Sequence, residues 1–213
     1  MIQNRSVELC VFSVPLLLKY SLCRQSNQLF NIVMTPPTHG HHSNQVQAAL
    51  LASVAKAILL QAETEVTAEK RSALPLAQVT ANLMTVLDNF EQTFWCKLVQ
   101  RAGGWPVPIV VPAATDIEGI PWPNEGERRK AMGFRDSDAG EADYIRRTAG
   151  IMRVYFAVLW SPVNKKLHAY YTTSRYWEWF SRILAIGNEE LLGTATAAEV
   201  IYSAFPCPLV DWF

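Results

Sequence analysis

The residues with chemistry to offer are cations. Lys70 and Arg71 stand side by side before SALPL. Lys97 and Arg101 are four apart, Arg128, Arg129 and Lys130 run together, and Arg135 comes soon after. Side chains four apart on a helix share a face, and like charges there cost about 0.2–0.5 kcal/mol. A polyanion would turn that repulsion into attraction. At a surface-like effective dielectric, one close ion pair carries a Coulomb term of about 4 kcal/mol before desolvation. Spacing alone leaves two readings level: cations converging on one anion seat, or independent solvated charges. Other chemistry lacks its residues. The chain has no GxxxxGKS/T, GxSxG, HExxH or GxGxxG, and no nucleophile is paired with a base, so no enzyme is expected. Asp136, Asp138, Glu141 and Asp143 lack the spacing and glycine of an EF-hand, and suit the positive end of a helix starting there. His39, His41 and His42 lie in TPPTHGHHS and read as a solvated loop, and His168 reads as a surface or packed histidine.

The cations sit in a chain with 19 basic and 19 acidic residues, a balance that argues against a general nucleic-acid coat. Half of the 213 residues are apolar and 18% are charged, enough for one sizeable core. Cys10, Cys23, Cys96 and Cys207 form no CxxC pair and suit no zinc site. They read as reduced, mostly buried thiols of a nucleocytoplasmic protein. The apolar run Leu9–Leu18 is too short to span a bilayer, and as a signal peptide it has only a weak basic flank, Arg5 countered by Glu8, and no clean small-x-small cleavage site.

Helices must position the cations. Residues 1–43 differ in composition from the rest and end in the Pro/His-rich linker; the helical pattern starts at Asn44 and continues over 44–213. A first helix is expected over about Asn44–Thr67, with Val54, Ala57 and Ile58 on its apolar face. A polar elbow comes next, at Glu69-Lys70-Arg71. The second helix starts near Ser72 as N-cap, with Pro75 in its first turn and Leu76, Val79, Leu83 and Leu87 on one stripe. A third, about Glu91–Ala102, ends at Gly103-Gly104. The crossing beyond it is too proline-rich for a long helix, though Ile109-Val110-Val111 could form a short extended piece. Further helices are expected over Glu125–Met132, about Glu141–Trp160 and about Thr173–Ile186, with a last one capped by Thr194. The segment Glu141–Trp160 is apolar nearly all round, the mark of a central helix. The pattern predicts an all-α protein, an α-solenoid whose consecutive helices pair as antiparallel hairpins, without a strict repeat. The aromatic end, Val210 to Phe213, predicts that further helices complete the solenoid.

Several blocks resemble one family. LLASVAKAILLQAETEVTAEKRSALPLAQVT resembles the first hairpin of the C-terminal domain of the Gle-one family of mRNA-export mediators at the nuclear pore. KLVQRAGGWPVPIVVP is similar to its basic segment and proline-containing crossing. GERRKAMGFRDSD with YIRRTAGIMRVYFAVL, and then YWEWFSRILAIGN, resemble its later helices in the family order, over about Asn44–Phe205. The resemblance implies a HEAT-like all-α domain, incomplete here, with no catalysis of its own. It implies binding of a DEAD-box RNA helicase at the cytoplasmic face of the pore, with inositol hexakisphosphate held between the two proteins by Lys and Arg. The pair would stimulate the helicase's ATPase cycle during mRNA export. Nucleoporins and translation initiation or termination factors are further implied partners. Phospholipid binding, residence in nucleus and cytoplasm, no membrane span and no sequence-specific nucleic-acid contact are implied as well. Carried over residue by residue, Lys70 matches an elbow lysine, and is preferred to Arg71. Arg101 matches the second cation of a Lys-Lys-Cys-Pro run, of which Gln100 replaces the first and Ala102-Gly103-Gly104 departs from the rest. Arg135 stands where the family has Lys after Gly-aromatic, and Lys97, Arg129 and Lys130 are nearby reserves. Two other readings stay open. One is a helical interaction module without an anion, anchored by Trp177, Trp179, Trp212 and Phe213. The other is a secreted or membrane protein led by Leu9–Leu18.

Overall fold

The structure is a computed structural model that describes residues 43–116, 118–135, 140–186 and 195–204, with 28, 29, 31 and 33 upstream. The run Leu9–Leu18, the three linker histidines, Cys10, Cys23, Cys207, Asp136, Asp138, Thr194, Trp212 and Phe213 lie outside the described residues. From Asn44 onward the described residues form seven α-helices: α1 Asn44–Gln61, α2 Ala73–Val86, α3 Phe90–Ala102, α4 Glu125–Ala131, α5 Glu141–Leu159, α6 Thr173–Ile186 and α7 Ala195–Ala204. The protein is all-α. The expected extended piece at Ile109–Val111 forms no β-bridge among the described residues; the Ile109 amide donates back to the Gly104 carbonyl oxygen, and the crossing holds an isolated bridge between Thr115 and Pro121.

α1 begins where the Ser43 hydroxyl accepts from the Val46 amide, satisfying one of the amides a helix start leaves free. It does not stop at Gln61. A π-helical turn, Ala62–Val66, carries it on. Such turns insert an extra residue and rotate the chain beyond them. Here Ala62, Glu63 and Val66 are all buried. The elbow differs from expectation in its cap. Lys70–Ser72 already form a 3-10 turn, so Ser72 has helical backbone angles and caps nothing; the Glu69 carboxylate accepts from the Arg71 amide instead. The stripe Leu76, Val79, Leu83 and Leu87 is buried as its spacing requires.

The helix that is apolar nearly all round, α5, is the centre of the molecule. Ile151, Met152, Val154 and Tyr155 are fully buried, and α2, α3, α6, α7 and the π-helical turn all pack on it. The turn reaches it at Gly150, where a Cβ would stand 2.6 Å from the Ala62 carbonyl oxygen. This centre rearranges the expected pairing. Consecutive hairpins are not the main contacts: α1 packs on α3, α2 on α5, and α7 on α5. A helix with apolar side chains on every side buries more surface by taking several neighbours than by pairing with the next helix alone.

Three further expectations change. Val33, from the segment set apart by composition, is buried in the same core as α1 and α2, and Leu29 packs against it. Cys96 is exposed, not buried. Trp179 is fully buried, so it cannot anchor a partner; Trp177 on the same helix is 59% exposed. By length and composition alone Asn44–Val66 is long and apolar enough to cross a membrane; in this fold its residues Leu51, Ala55, Ile58 and Leu59 are buried in protein.

Candidate functional site

The cations meet where four helices and one turn come together. α1 supplies Lys56. α3 supplies Lys97 and Arg101, α4 supplies Lys130, the turn after α4 supplies Arg135, and α5 supplies Arg147. These six basic side chains line one cleft of about 430 Å³, together with Gln100, Gly133 and Phe134 and with no carboxylate among the described residues that line it. Small-molecule sites run from roughly 300 to 1,000 Å³.

Two glycines make the convergence possible. Gly103 ends α3 at φ +63°, and a Cβ there would meet the Met132 carbonyl oxygen at 2.3 Å. Gly133 has φ +95°, and a Cβ there would lie 2.8 Å from the carbonyl carbon of Ala102. The ends of α3 and α4 therefore touch backbone to backbone, which draws Lys130 and Arg135 to Arg101. Gly133→Ala is expected to lower stability by about 1–2 kcal/mol from the left-handed backbone alone, with the contact adding to it. A urea melt checks this, and an unchanged midpoint would show that the two ends can part freely.

Behind the cleft lies a buried ion triad. Glu63, its side chain 2% exposed, accepts at Oε1 from Arg101 Nη1 at 2.5 Å and from Arg147 Nη1 at 3.4 Å. Arg147 also donates to the Arg101 carbonyl oxygen at 3.4 Å and to the Gly133 carbonyl oxygen. One guanidinium thus ties α3, the turn after α4 and the π-helical turn to α5. The remaining cations are wetter. Lys97 donates to the Gln100 side-chain oxygen at 2.9 Å, and Lys130 pairs with Glu127 at 2.7 Å while 62% exposed. Such an exposed pair contributes about 0–1 kcal/mol, so Lys130 stays available to a ligand.

The turn that carries Arg135 is braced by aromatics. Phe134 stacks on Tyr144 with ring centroids 3.8 Å apart, and Arg129 lies over the Phe134 ring at 4.0 Å. The Tyr144 hydroxyl donates to the Met132 carbonyl oxygen at 2.8 Å and accepts from Trp105 Nε1. Burial pushes the Tyr144 phenol above its ordinary range, which keeps it a protonated donor.

Of the six residues singled out in sequence, Lys97, Arg101, Lys130 and Arg135 line this cleft. Arg129 stands beside it on Phe134. Lys70 is elsewhere, its ammonium 4.8 Å above the ring of Tyr202 on α7. The elbow that follows the π-helical turn thus sets Lys70 against α7. Lys56, Arg147 and Glu63 were missed. A signal for two of them existed. Glu63 falls in register with Leu59 and Val66, and Arg147 with Tyr144 and Ile151, so each is a lone charge on an apolar stripe and needs a buried partner.

Comparison with known proteins gives a consistent set of likenesses. A family model described as GLE1-like protein matches residues 19–204, beginning upstream of the Asn44 boundary. The mRNA export factor GLE1 of Saccharomyces cerevisiae (strain ATCC 204508 / S288c) is 27% identical over 110 residues, half of this chain and 18% of that protein. The chain thus spans about a fifth of the length of the curated relative it matches. A solved structure described as the S. cerevisiae Dbp5 C-terminal domain, with one substitution, bound to Gle1 and IP6 matches with a TM-score of 0.61. The identity is 19%, over 95% of this chain and 73% of that one. A second complex, with a Gle1 variant, matches with the same TM-score at 18% identity, over 93% and 72% of the two chains. At such identities the structural likeness establishes the fold.

Proposed function

From the premise that this chain belongs to the GLE1-like protein family, we propose that it is a non-enzymatic scaffold that seats inositol hexakisphosphate in the six-cation cleft. With that anion it binds a DEAD-box RNA helicase and stimulates its ATPase cycle during mRNA export. The place of action is the cytoplasmic face of the nuclear pore, and nucleoporins and translation factors are the further partners. The observation that carries the reading is the cleft itself: Lys56, Lys97, Arg101, Lys130, Arg135 and Arg147 gathered without a lining carboxylate among the described residues. Lysine supplies mobile point charges and arginine a fixed fork, and both suit phosphate oxygens. The cation set is therefore Lys97, Arg101, Lys130 and Arg135 with Lys56 and the buried Arg147. Lys70 is left out of it because its charge is directed to Tyr202.

Calorimetric titration with inositol hexakisphosphate tests the site. Hydrogen bonds to charged groups are worth about 1.5–3 kcal/mol each, so Lys97→Gln and Arg135→Gln are each expected to weaken binding roughly tenfold or more. Lys97→Glu with Arg135→Glu should abolish it, and raised salt should weaken the wild type. Lys70→Gln should leave the affinity unchanged. Absence of binding by the wild type would overturn the pocket assignment. Binding without any rise in helicase ATPase rate would overturn the activator role alone.

A further inference from the structure

A carboxylate behind an anion site works against the site's charge. Glu63 nevertheless stands directly behind two of the cleft's cations. A need to neutralise Arg147 explains only part of this. Arg147 is 7% exposed and already donates to two backbone carbonyl oxygens, and its distance to Glu63 is the longer one, 3.4 Å. The short contact, 2.5 Å, is made to Arg101, which is 17% exposed and lines the cleft. The second carboxylate oxygen, Oε2, is buried with no hydrogen-bond partner. With Oε2 unpartnered among the described residues, the carboxylate's ties run through Oε1 to the two guanidinium groups. The local backbone adds to the case. Glu63 lies in the π-helical turn and is buried beside Ala62 and Val66, on the stripe that Leu59 begins.

Resting on the reading of the cleft as an inositol hexakisphosphate seat, we infer that Glu63 is a positioning residue of that seat. It fixes the Arg101 guanidinium in place before the anion arrives. The remaining N–H groups of Arg101 then meet phosphate without the loss of rotamer freedom that a loose arginine suffers on binding. That loss corresponds to about a two- to tenfold change in affinity per immobilised side chain.

The sign of one substitution separates this role from its rivals. Glu63→Gln keeps the shape of the side chain and removes its negative charge. If Glu63 were a spectator, the cleft would gain one unit of net positive charge and bind the anion more tightly. As a positioning residue, its loss is expected to weaken inositol hexakisphosphate binding about two- to tenfold, measured by calorimetry on folded protein checked by circular dichroism. Equal or tighter binding overturns the inference while leaving the proposed function standing. A second readout needs no ligand. In the wild type the Nη protons of Arg101 should be protected from solvent exchange in spectra of protein labelled with 15N-arginine, and Glu63→Gln should remove that protection. If the wild type binds no inositol hexakisphosphate, the proposed function fails and these signals decide the positioning role by themselves; protection that survives Glu63→Gln overturns it. Should Glu63→Gln not fold, Glu63→Asp keeps the charge but withdraws the carboxylate from Arg101, and it carries the same two measurements. Wild-type affinity in Glu63→Asp would likewise overturn the inference.

Discussion

Arg147→Met is expected to lower the unfolding free energy by about 3–5 kcal/mol, the usual cost of removing one member of a buried ion set. The side chain is 7% exposed and shares Glu63 Oε1 with Arg101. Without it, a carboxylate 2% exposed depends on a single guanidinium. The carbonyl oxygens of Arg101 and Gly133 lose a donor as well. Methionine fills similar volume and adds no polar group, so the loss reports the interactions and not a void. Two terms oppose it: Arg147 Nε is itself buried without a partner, and its burial costs solvation. They are present in the wild type too, which is why the net effect of an intact buried triad is small while the effect of breaking it is large. Urea denaturation, followed by circular dichroism, measures the change. The companion Glu63→Leu/Arg147→Met should recover part of the loss, because the buried carboxylate left with Arg101 alone is gone. A loss below about 1 kcal/mol in Arg147→Met would show that Arg101 alone compensates Glu63.

Trp179→Ala should cost a similar amount, about 3–5 kcal/mol, by a different route. Trp179 is fully buried on α6, and its ring meets Phe156 of α5 edge-on with centroids 4.7 Å apart. Its indole N–H donates at 2.7 Å to the carbonyl oxygen of Trp105, at the start of the proline-rich crossing. Truncation opens a cavity between α5 and α6 and leaves that carbonyl unsatisfied in the interior. Because Trp105 in turn donates to Tyr144, which braces the turn bearing Arg135, the damage should reach the cleft. Trp179→Phe separates the two contributions. It restores most of the volume but not the N–H, and should retain a deficit of about 1–3 kcal/mol. Equal melting midpoints for Trp179→Phe and the wild type would show that the Trp105 contact contributes nothing.

The two effects have a common origin in α5. Arg147 leaves it toward the cleft, and Phe156 leaves it toward α6. A central helix with neighbours on every side communicates a defect at one face to the others through close packing. This also explains why the exposed cations are safer to change. Lys97, Lys130 and Arg135 sit outside that packing, so their replacement reads ligand affinity with little loss of fold.

The amino-acid sequence by itself determined the helices. Their apolar stripes recur at helical spacing, Gly103 and Gly133 stop them, and α5 declares its central place by being apolar nearly all round. It also marked four of the six cations that line the cleft, because charge clusters beside glycines and prolines are visible without coordinates. Tertiary structure decided the rest. Whether α3 meets the end of α4 depends on two backbones approaching so closely that no Cβ fits between them, and residue types alone do not specify that approach. The π-helical turn is likewise absent from a 3.6-residue pattern, and Lys70, in the elbow that follows it, stands over Tyr202 of α7. Helical periodicity reports which side of a helix is apolar. It is silent on which neighbour covers that side, and the anion cleft exists only through those choices.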